Sequence, residues 1–159
     1  MQTQLHRLVF RAGLVVAATA LVCVAFAGSE EQSAADKARL KKLDAGPKTI
    51  DISKYPADQK TAYATFEKKC VKCHNLSRAI NTSFVLPGEW TRYIKRMMYK
   101  PDSKLTEVDG KAIYRFLVYD ASVRKADSLR VHLANLPTAE REAELGKVRA
   151  VNPSYEAEK

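Results

Sequence analysis

The sequence predicts an all-α fold. Apolar residues recur at helical spacing in several separate segments, and capping residues or prolines stand at the segment ends. Nothing in residues 28–159 shows the strict alternation of apolar and polar side chains that a half-buried strand would have. The chain has 159 residues, of which 46% are hydrophobic and 28% charged, enough for one core with flanking sequence. This composition argues against wholesale disorder and against a protein with many membrane spans.

Residues 1–27 have the pattern of an export signal. They begin with basic side chains, contain no acid, continue as an apolar run over 12–27 and close on Ala25-Phe-Ala27. A charged start, an apolar middle and a small-x-small end are typical of a cleaved signal peptide. We expect export to the periplasm with cleavage after Ala27. An uncleaved membrane anchor is the alternative, although the 16 residues of the run are fewer than the roughly 20 that span a bilayer.

The exported chain is basic. The full sequence has a formal charge of +9, and removal of residues 1–27 takes away two positive charges and no negative one, which leaves 9 − 2 = +7. Such a charge steers a protein towards acidic partners. Nucleic acid is not an expected partner, because the chain is exported and has no concentrated basic run.

Four helices are predicted before residue 125. Ser33 begins the first with a capping box, Pro56 begins the second as an N1-type proline, and Thr106 caps the last. Most of the first helix is expected to be solvated. The predicted helices are 34–44, 56–70, 89–98 and 107–119.

Three helix faces carry the predicted core and one candidate ligand. Ala62, Phe66 and Cys70 recur every four residues in the second helix, so they share one face. In the third helix, Trp90, Ile94 and Met97 lie at i, i+4 and i+7. The last helix has an apolar stripe formed by Val108, Ala112, Ile113, Phe116 and Leu117.

The flanks of this region are predicted to be extensions. Residues 28–55 form the N-terminal one. Residues 126–159 lose hydrophobic density and form a partly helical C-terminal one, in which a helix from Pro137 to Leu145 is expected to be interrupted at Gly146.

The sequence Cys70-Val-Lys-Cys73-His74 carries the chemistry. Cys-x-x-Cys-His is the attachment motif of haem c, in which two thiols add to the vinyl groups of one haem and the adjacent imidazole binds the iron. Two intervening residues let both sulfurs reach one edge of the rigid macrocycle. The motif therefore predicts one covalent haem held by Cys70 and Cys73, with His74 as axial iron ligand.

Two other uses of the motif fit the sequence poorly. A thioredoxin-like dithiol follows a strand and opens a helix, whereas this motif closes a predicted helix. A zinc site needs four ligands, and the only other histidine after residue 27 is the distant His132.

Residues 56–121 resemble a class I cytochrome c domain. The shared features are Phe66 four residues before the first cysteine, the haem motif, Pro87 after it, a distal methionine, and the pair Phe116-Leu117. The resemblance implies a cytochrome c domain over 56–125, in which the helix ending at Cys70 crosses the helix at 107–119 near Phe66 and Phe116 with the haem enclosed between them. Ala62 departs from the pattern, because the family often has glycine at this crossing.

A looser resemblance concerns the region after the motif. The run from Trp90 to Met98, with Leu105-Thr106 and 113–117, is similar to the haem domain of the cytochrome subunit of green sulfur bacterial reaction centres. This likeness implies related architecture, and we do not extend the photosynthetic role to the present chain.

The resemblance also implies a methionine as the second axial ligand of the iron. Met97 and Met98 follow His74 by 23 and 24 residues and are the only methionines after residue 27. We predict Met97, because it shares the apolar face of its helix, with Met98 as the runner-up. His132, a lysine or an open site are the remaining alternatives.

Three further residues are candidates for the haem surroundings. Pro87 offers a backbone carbonyl to the Nδ1 hydrogen of His74, since axial histidines are usually oriented by such a bond; a simple turn proline is the alternative. Trp90 offers its indole N–H to a haem propionate, or is a core residue. Arg78 offers its guanidinium, although an exposed loop arginine is the preferred interpretation.

These features predict an electron-transfer protein and not an enzyme. An iron bound by both histidine and methionine has no vacant position, which leaves one-electron exchange with redox proteins. The sequence shows no nucleophile with its base and no second haem motif. The alternatives are a haem sensor or oxidoreductase with an open distal side, and a haem subunit held in a larger, peripherally membrane-associated redox complex by residues 28–55 and 126–159.

Overall fold

A computed structural model describes residues 33–157, which contain seven α-helices and no strand. The predicted all-α class is confirmed for this part of the chain. The predicted export signal, residues 1–27, lies outside it. The helices are α1 (Ala34–Asp44), α2 (Ala57–Cys70), α3 (Ser77–Ile80), α4 (Pro87–Met98), α5 (Glu107–Arg124), α6 (Ala126–Ala134) and α7 (Thr138–Val151).

The crossing of α2 and α5 forms the centre of the core. Phe66 and Phe116 are both fully buried and stack with their ring centroids 5.4 Å apart. Tyr63 adds a ring 4.9 Å from that of Phe116. Burying a phenylalanine side chain stabilises a fold by about 1.5–3 kcal/mol. The crossing therefore fixes the end of α2, where the haem motif begins, against the middle of α5.

α5 is five residues longer than the sequence predicts, ending at Arg124 instead of Tyr119. Asp120, which is 2% exposed, continues the buried side of the helix. Its carboxylate accepts hydrogen bonds from the Tyr55 hydroxyl at 2.9 Å and from Nε and Nη2 of Arg124 at 2.9 and 2.6 Å. A buried carboxylate that is paired in this way does not end the helix.

α6 and α7 pack against the same core as α5. Their buried residues are Leu129, Leu133, Leu145 and Val148, and Tyr155 follows them. α7 continues through Gly146, where the predicted interruption does not occur. A Cβ at Gly146 would have no atom of the described chain within 4 Å, so this glycine faces open space. Its only effect on the helix is the low intrinsic helix propensity of glycine.

Most of α1 is solvated, as predicted, and its C-terminal end docks on α3. Ser33 caps it, accepting a hydrogen bond from the Asp36 amide at 3.1 Å. At the other end the Asn81 amide donates to the carbonyls of Leu43 and Pro47, both at 3.0 Å. The N-terminal extension is thus tied to the segment that follows the haem motif.

A salt bridge joins the last turn of α2 to the first turn of α5. Lys69 Nζ lies 2.7 Å from Asp109 Oδ2, which also accepts hydrogen bonds from the amide and hydroxyl of Thr106 at 3.0 and 2.7 Å. The Lys69 hydrogen bond, followed by those from Thr106, lowers the pKa of Asp109 to about 2. The ordinary value of this pKa is 3.8.

We predict that Asp109→Asn removes an acid-sensitive part of the stability. A folded-state pKa below the unfolded value means that the stabilisation is complete above about pH 4 and is lost as pH falls through 2. Losing the capping and charge-assisted hydrogen bonds should lower the unfolding free energy at pH 7 by about 1–2 kcal/mol. Urea unfolding between pH 2 and 7 measures both effects. Asp58→Asn, at a half-exposed ion pair with Arg115, is the control, and equal pH dependence in wild type and Asp109→Asn would contradict the assignment.

Candidate haem-attachment site

The haem motif begins on the last residue of α2. Cys70 ends the helix and is half-buried against the core, whereas Cys73 is exposed in the following turn; both thiols are free. The two sulfurs therefore lie in different environments: the Cys70 sulfur is held by packing, and the Cys73 sulfur is accessible from solvent. The motif closes a helix, as the sequence predicted.

The Cys70 thiol does not have the properties of a redox dithiol. Burial first, and then the neighbouring Cys73, raises its pKa to about 12. Attacking thiols in thioredoxin-like sites have lowered pKa values and usually lie at helix N-termini. Cys70 lies at a helix C-terminus, so both its electrostatics and its position argue against that chemistry.

Within residues 33–157 no three His, Cys, Asp or Glu side chains cluster in a way that could hold a metal ion. A closed zinc site needs four such ligands. His132, the distant alternative, is exposed on α6, where its Nδ1 lies 2.7 Å from the Ser128 carbonyl of the same helix.

His74 is half-buried and oriented by its own neighbour. Its Nδ1 lies 2.8 Å from the Asn75 carbonyl oxygen and, when protonated, donates to it. The sequence had suggested the Pro87 carbonyl for this role. That oxygen instead accepts from the Thr91 hydroxyl at 3.0 Å, because Pro87 is the first residue of α4. With Nδ1 engaged, Nε2 is the nitrogen available to a metal.

Three aromatic side chains pack together near the motif. Phe84, Trp90 and Tyr93 meet edge to face, with centroid separations of 5.7 to 5.9 Å. Burial, with a further contribution from the neighbouring Cys70 thiol, raises the pKa of Tyr93 to about 12. Trp90 and Tyr93 come from α4, Phe84 precedes that helix, and Tyr93 brings the cluster beside the first cysteine.

Trp90 supplies the observation that tests whether these residues fit a haem. Its side chain is 1% exposed, and its indole Nε1 has no hydrogen-bond partner in the part of the chain that the structure describes. Leaving a buried donor unpaired costs about 1–3 kcal/mol, so such a group calls for an acceptor. A haem carries two carboxylates. Two thiols, one oriented imidazole, aromatic side chains and an indole N–H with no partner among residues 33–157 are the kinds of group that would hold a haem.

Arg78 has a structural partner. Its Nε and Nη2 each donate to the Asp44 carboxylate at 2.9 Å. The hydrogen bond from Arg78 is also the main cause that lowers the pKa of Asp44. The guanidinium therefore joins α3 to the end of α1, which neither of the sequence-based interpretations of this residue included.

The two methionines occupy different environments. Met98 packs against the core, and its Sδ would lie 2.9 Å from a Cβ built on Gly110 of α5. It also lines an open cavity of about 300 Å³ whose walls come from α4 and α5 alone and include neither the motif nor Met97. Met97 is half-buried and does not take part in that packing within residues 33–157. The prediction that Met97 shares the inward-packed face of Ile94 is therefore wrong, because Met98 is the methionine that lies with Ile94 against Gly110.

Comparison with models of known protein families, with curated proteins and with solved structures gave no match to this chain. None of the helices between residues 33 and 157 is long and apolar enough to cross a membrane.

Proposed function

We propose that this chain is an exported c-type cytochrome that carries one haem on Cys70, Cys73 and His74 and passes single electrons between redox proteins. The position of the motif carries the proposal: it closes α2 one turn after Phe66, whose ring stacks on Phe116 of α5. The resemblance to class I cytochrome c domains implies that same crossing. The indole N–H of Trp90, which has no partner among residues 33–157, adds a donor suited to a haem carboxylate.

Each residue has a separate task in this proposal. When bound, haem c supplies a one-electron iron couple. Cys70 and Cys73 hold it covalently, and His74 offers Nε2 to the iron while Nδ1 is bound to the Asn75 carbonyl. The cluster of Phe84, Trp90 and Tyr93 excludes water from the side of the motif that faces α4.

The environments of the methionines favour Met97 as the distal ligand. Met98 is already used in packing α4 against Gly110, and withdrawing it would leave a gap between two helices. Met97 is free of that contact. The two side chains also differ by about 100° around the helix, so one helix orientation cannot present both to the same point.

Covalent attachment gives the first test. Because two thioether bonds are expected, the denatured protein should keep its colour in acidified organic solvent. The intact mass should equal residues 28–159 plus one haem. Cys70→Ser with Cys73→Ser is the control and should lose the haem on the same treatment. Extraction of haem from the unmodified protein would contradict the proposal, and a mass that retains residues 1–27 would favour the membrane anchor.

Distal ligation gives the second test. Met97→Ala should abolish the methionine-to-iron charge-transfer band of the oxidised protein, lower its reduction potential and let imidazole bind. Met98→Ala is the matched control and should keep the band while destabilising the fold by about 2–5 kcal/mol, as large-to-small core changes do. Loss of the band in Met98→Ala alone would assign Met98. No change in either variant would assign the distal site to His132, a lysine or open coordination.

Partner charge gives the third test. Lys68 and Lys72 flank Cys70 and are exposed, whereas Lys69 between them is bound to Asp109. Lys68→Ala with Lys72→Ala should slow electron transfer to an acidic acceptor protein about threefold or more at low salt, and the difference should vanish as salt screens exposed charges. Lys111→Ala with Arg149→Ala removes the same charge elsewhere and is the control. Equal slowing by both pairs would exclude a specific docking role.

A further inference from the structure

Side chains from the C-terminal part of the chain hold segment 80–88, which joins the motif region to α4. Most of this segment lies outside a helix, so its amides and carbonyls need partners other than a helical ladder. Glu89 of α4 accepts from the amides of Val85 and Leu86, and three side chains beyond residue 123 supply further partners. The contacts join Arg124 Nη2 to the Ile80 carbonyl at 3.2 Å, Lys125 Nζ to the carbonyls of Thr82 at 2.7 Å and Phe84 at 3.4 Å, and the Gly88 amide to Glu144 Oε2 at 2.7 Å.

The contact between Glu144 and Gly88 bears directly on α4. Gly88 is the second residue of the helix, where backbone amides have no partner within the helix and an anion is favoured. The Glu144 side chain is 14% exposed and is also bound by Lys147 at 2.6 Å. A Cβ at Gly88 would lie 3.3 and 3.4 Å from the two carboxylate oxygens, so glycine permits this close approach.

α4 transmits the position of Gly88 to the methionine. Met97 lies nine positions after Gly88, which is about 13.5 Å along a rigid helix. Ile94 packs near Gly110 in the middle of that span. Because the helix is rigid, fixing its N-terminal end at Gly88 also limits the movement of its C-terminal end, beyond Ile94, where Met97 lies.

We propose that Arg124 at the end of α5, Lys125 after it and Glu144 of α7 act as a clamp on segment 80–88, and that Glu144 is the positioning residue that holds α4 so that Met97 stays in place. The inference rests on the proposed function for the role of Met97. The clamp itself rests only on the four backbone contacts. Residues 126–157 lie outside the part of the chain that resembles class I cytochrome c domains.

The test compares Glu144→Ala with two variants on the same helix. Imidazole should bind the oxidised full-length protein about tenfold more tightly in Glu144→Ala, because loss of a charge-assisted hydrogen bond frees α4 to move. Amide hydrogen exchange at Gly88 to Trp90 should accelerate by a similar factor. Glu142→Ala, an exposed change, should alter neither. Val148→Ala, which truncates a fully buried side chain, should lower global stability. It should strengthen imidazole binding much less than Glu144→Ala does.

The outcomes separate the clamp from the proposed function. Glu144→Gln keeps an acceptor oxygen and should fall between wild type and Glu144→Ala, and it replaces the alanine variant if that fails to fold. Imidazole binding equal in Glu144→Ala and Val148→Ala, at matched stability, would overturn the positioning role. If the wild type carries no haem, the proposed function fails, and hydrogen exchange alone decides the clamp: unchanged exchange at Gly88 to Trp90 would overturn it.

Discussion

The contact between Phe66 and Phe116 is the constraint on which the other features of this structure depend. Two fully buried rings stacked at 5.4 Å set the crossing of α2 and α5, and a closely packed core tolerates little displacement there. Cys70 lies one helical turn beyond Phe66, so the same contact fixes the first cysteine of the motif. Removing either ring would cost about 3–5 kcal/mol and would release the end of α2.

The parts of the fold that sequence reasoning predicted are those with a strong local signal. Pro56 and the four-residue repeat through Phe66 indicated α2, and Thr106 with Asp109 indicated the start of α5. The end of α5 was missed because Asp120 looks like a solvent-exposed residue. Its burial depends on Tyr55, which is 65 residues away in sequence, and no local pattern contains that partner.

The C-terminal helices were also predicted incompletely, because their burial depends on contacts with distant parts of the chain. Their apolar residues are few, because each helix needs only a narrow stripe against α5. Gly146 suggested a break, yet the structure places it on the open side of α7, where a missing side chain loses no contact. The prediction of a partly helical tail underestimated how much of this region belongs to the core.

Within the candidate site, the sequence predicted the grouping of those residues that are adjacent along the chain. Cys70, Cys73 and His74 are neighbours, so their grouping needed no tertiary information. The partner of Arg78 is Asp44, and the carbonyl near His74 belongs to Asn75 and not to Pro87. The Trp90 N–H, which has no partner in the described part of the chain, and the separate environments of Met97 and Met98 depend on packing between helices. The spacing of residues alone does not reveal such packing.

The alkaline pyridine spectrum of the reduced protein tests the central claim most directly, because the position of its main visible band depends on how many haem vinyl groups have been converted to thioethers. The account predicts the band of a haem with both vinyl groups converted, at one haem per chain, and a shift to the single-thioether position in Cys73→Ala. A spectrum with unmodified vinyl groups, or no haem band in protein exported together with a haem-attachment system, would contradict it.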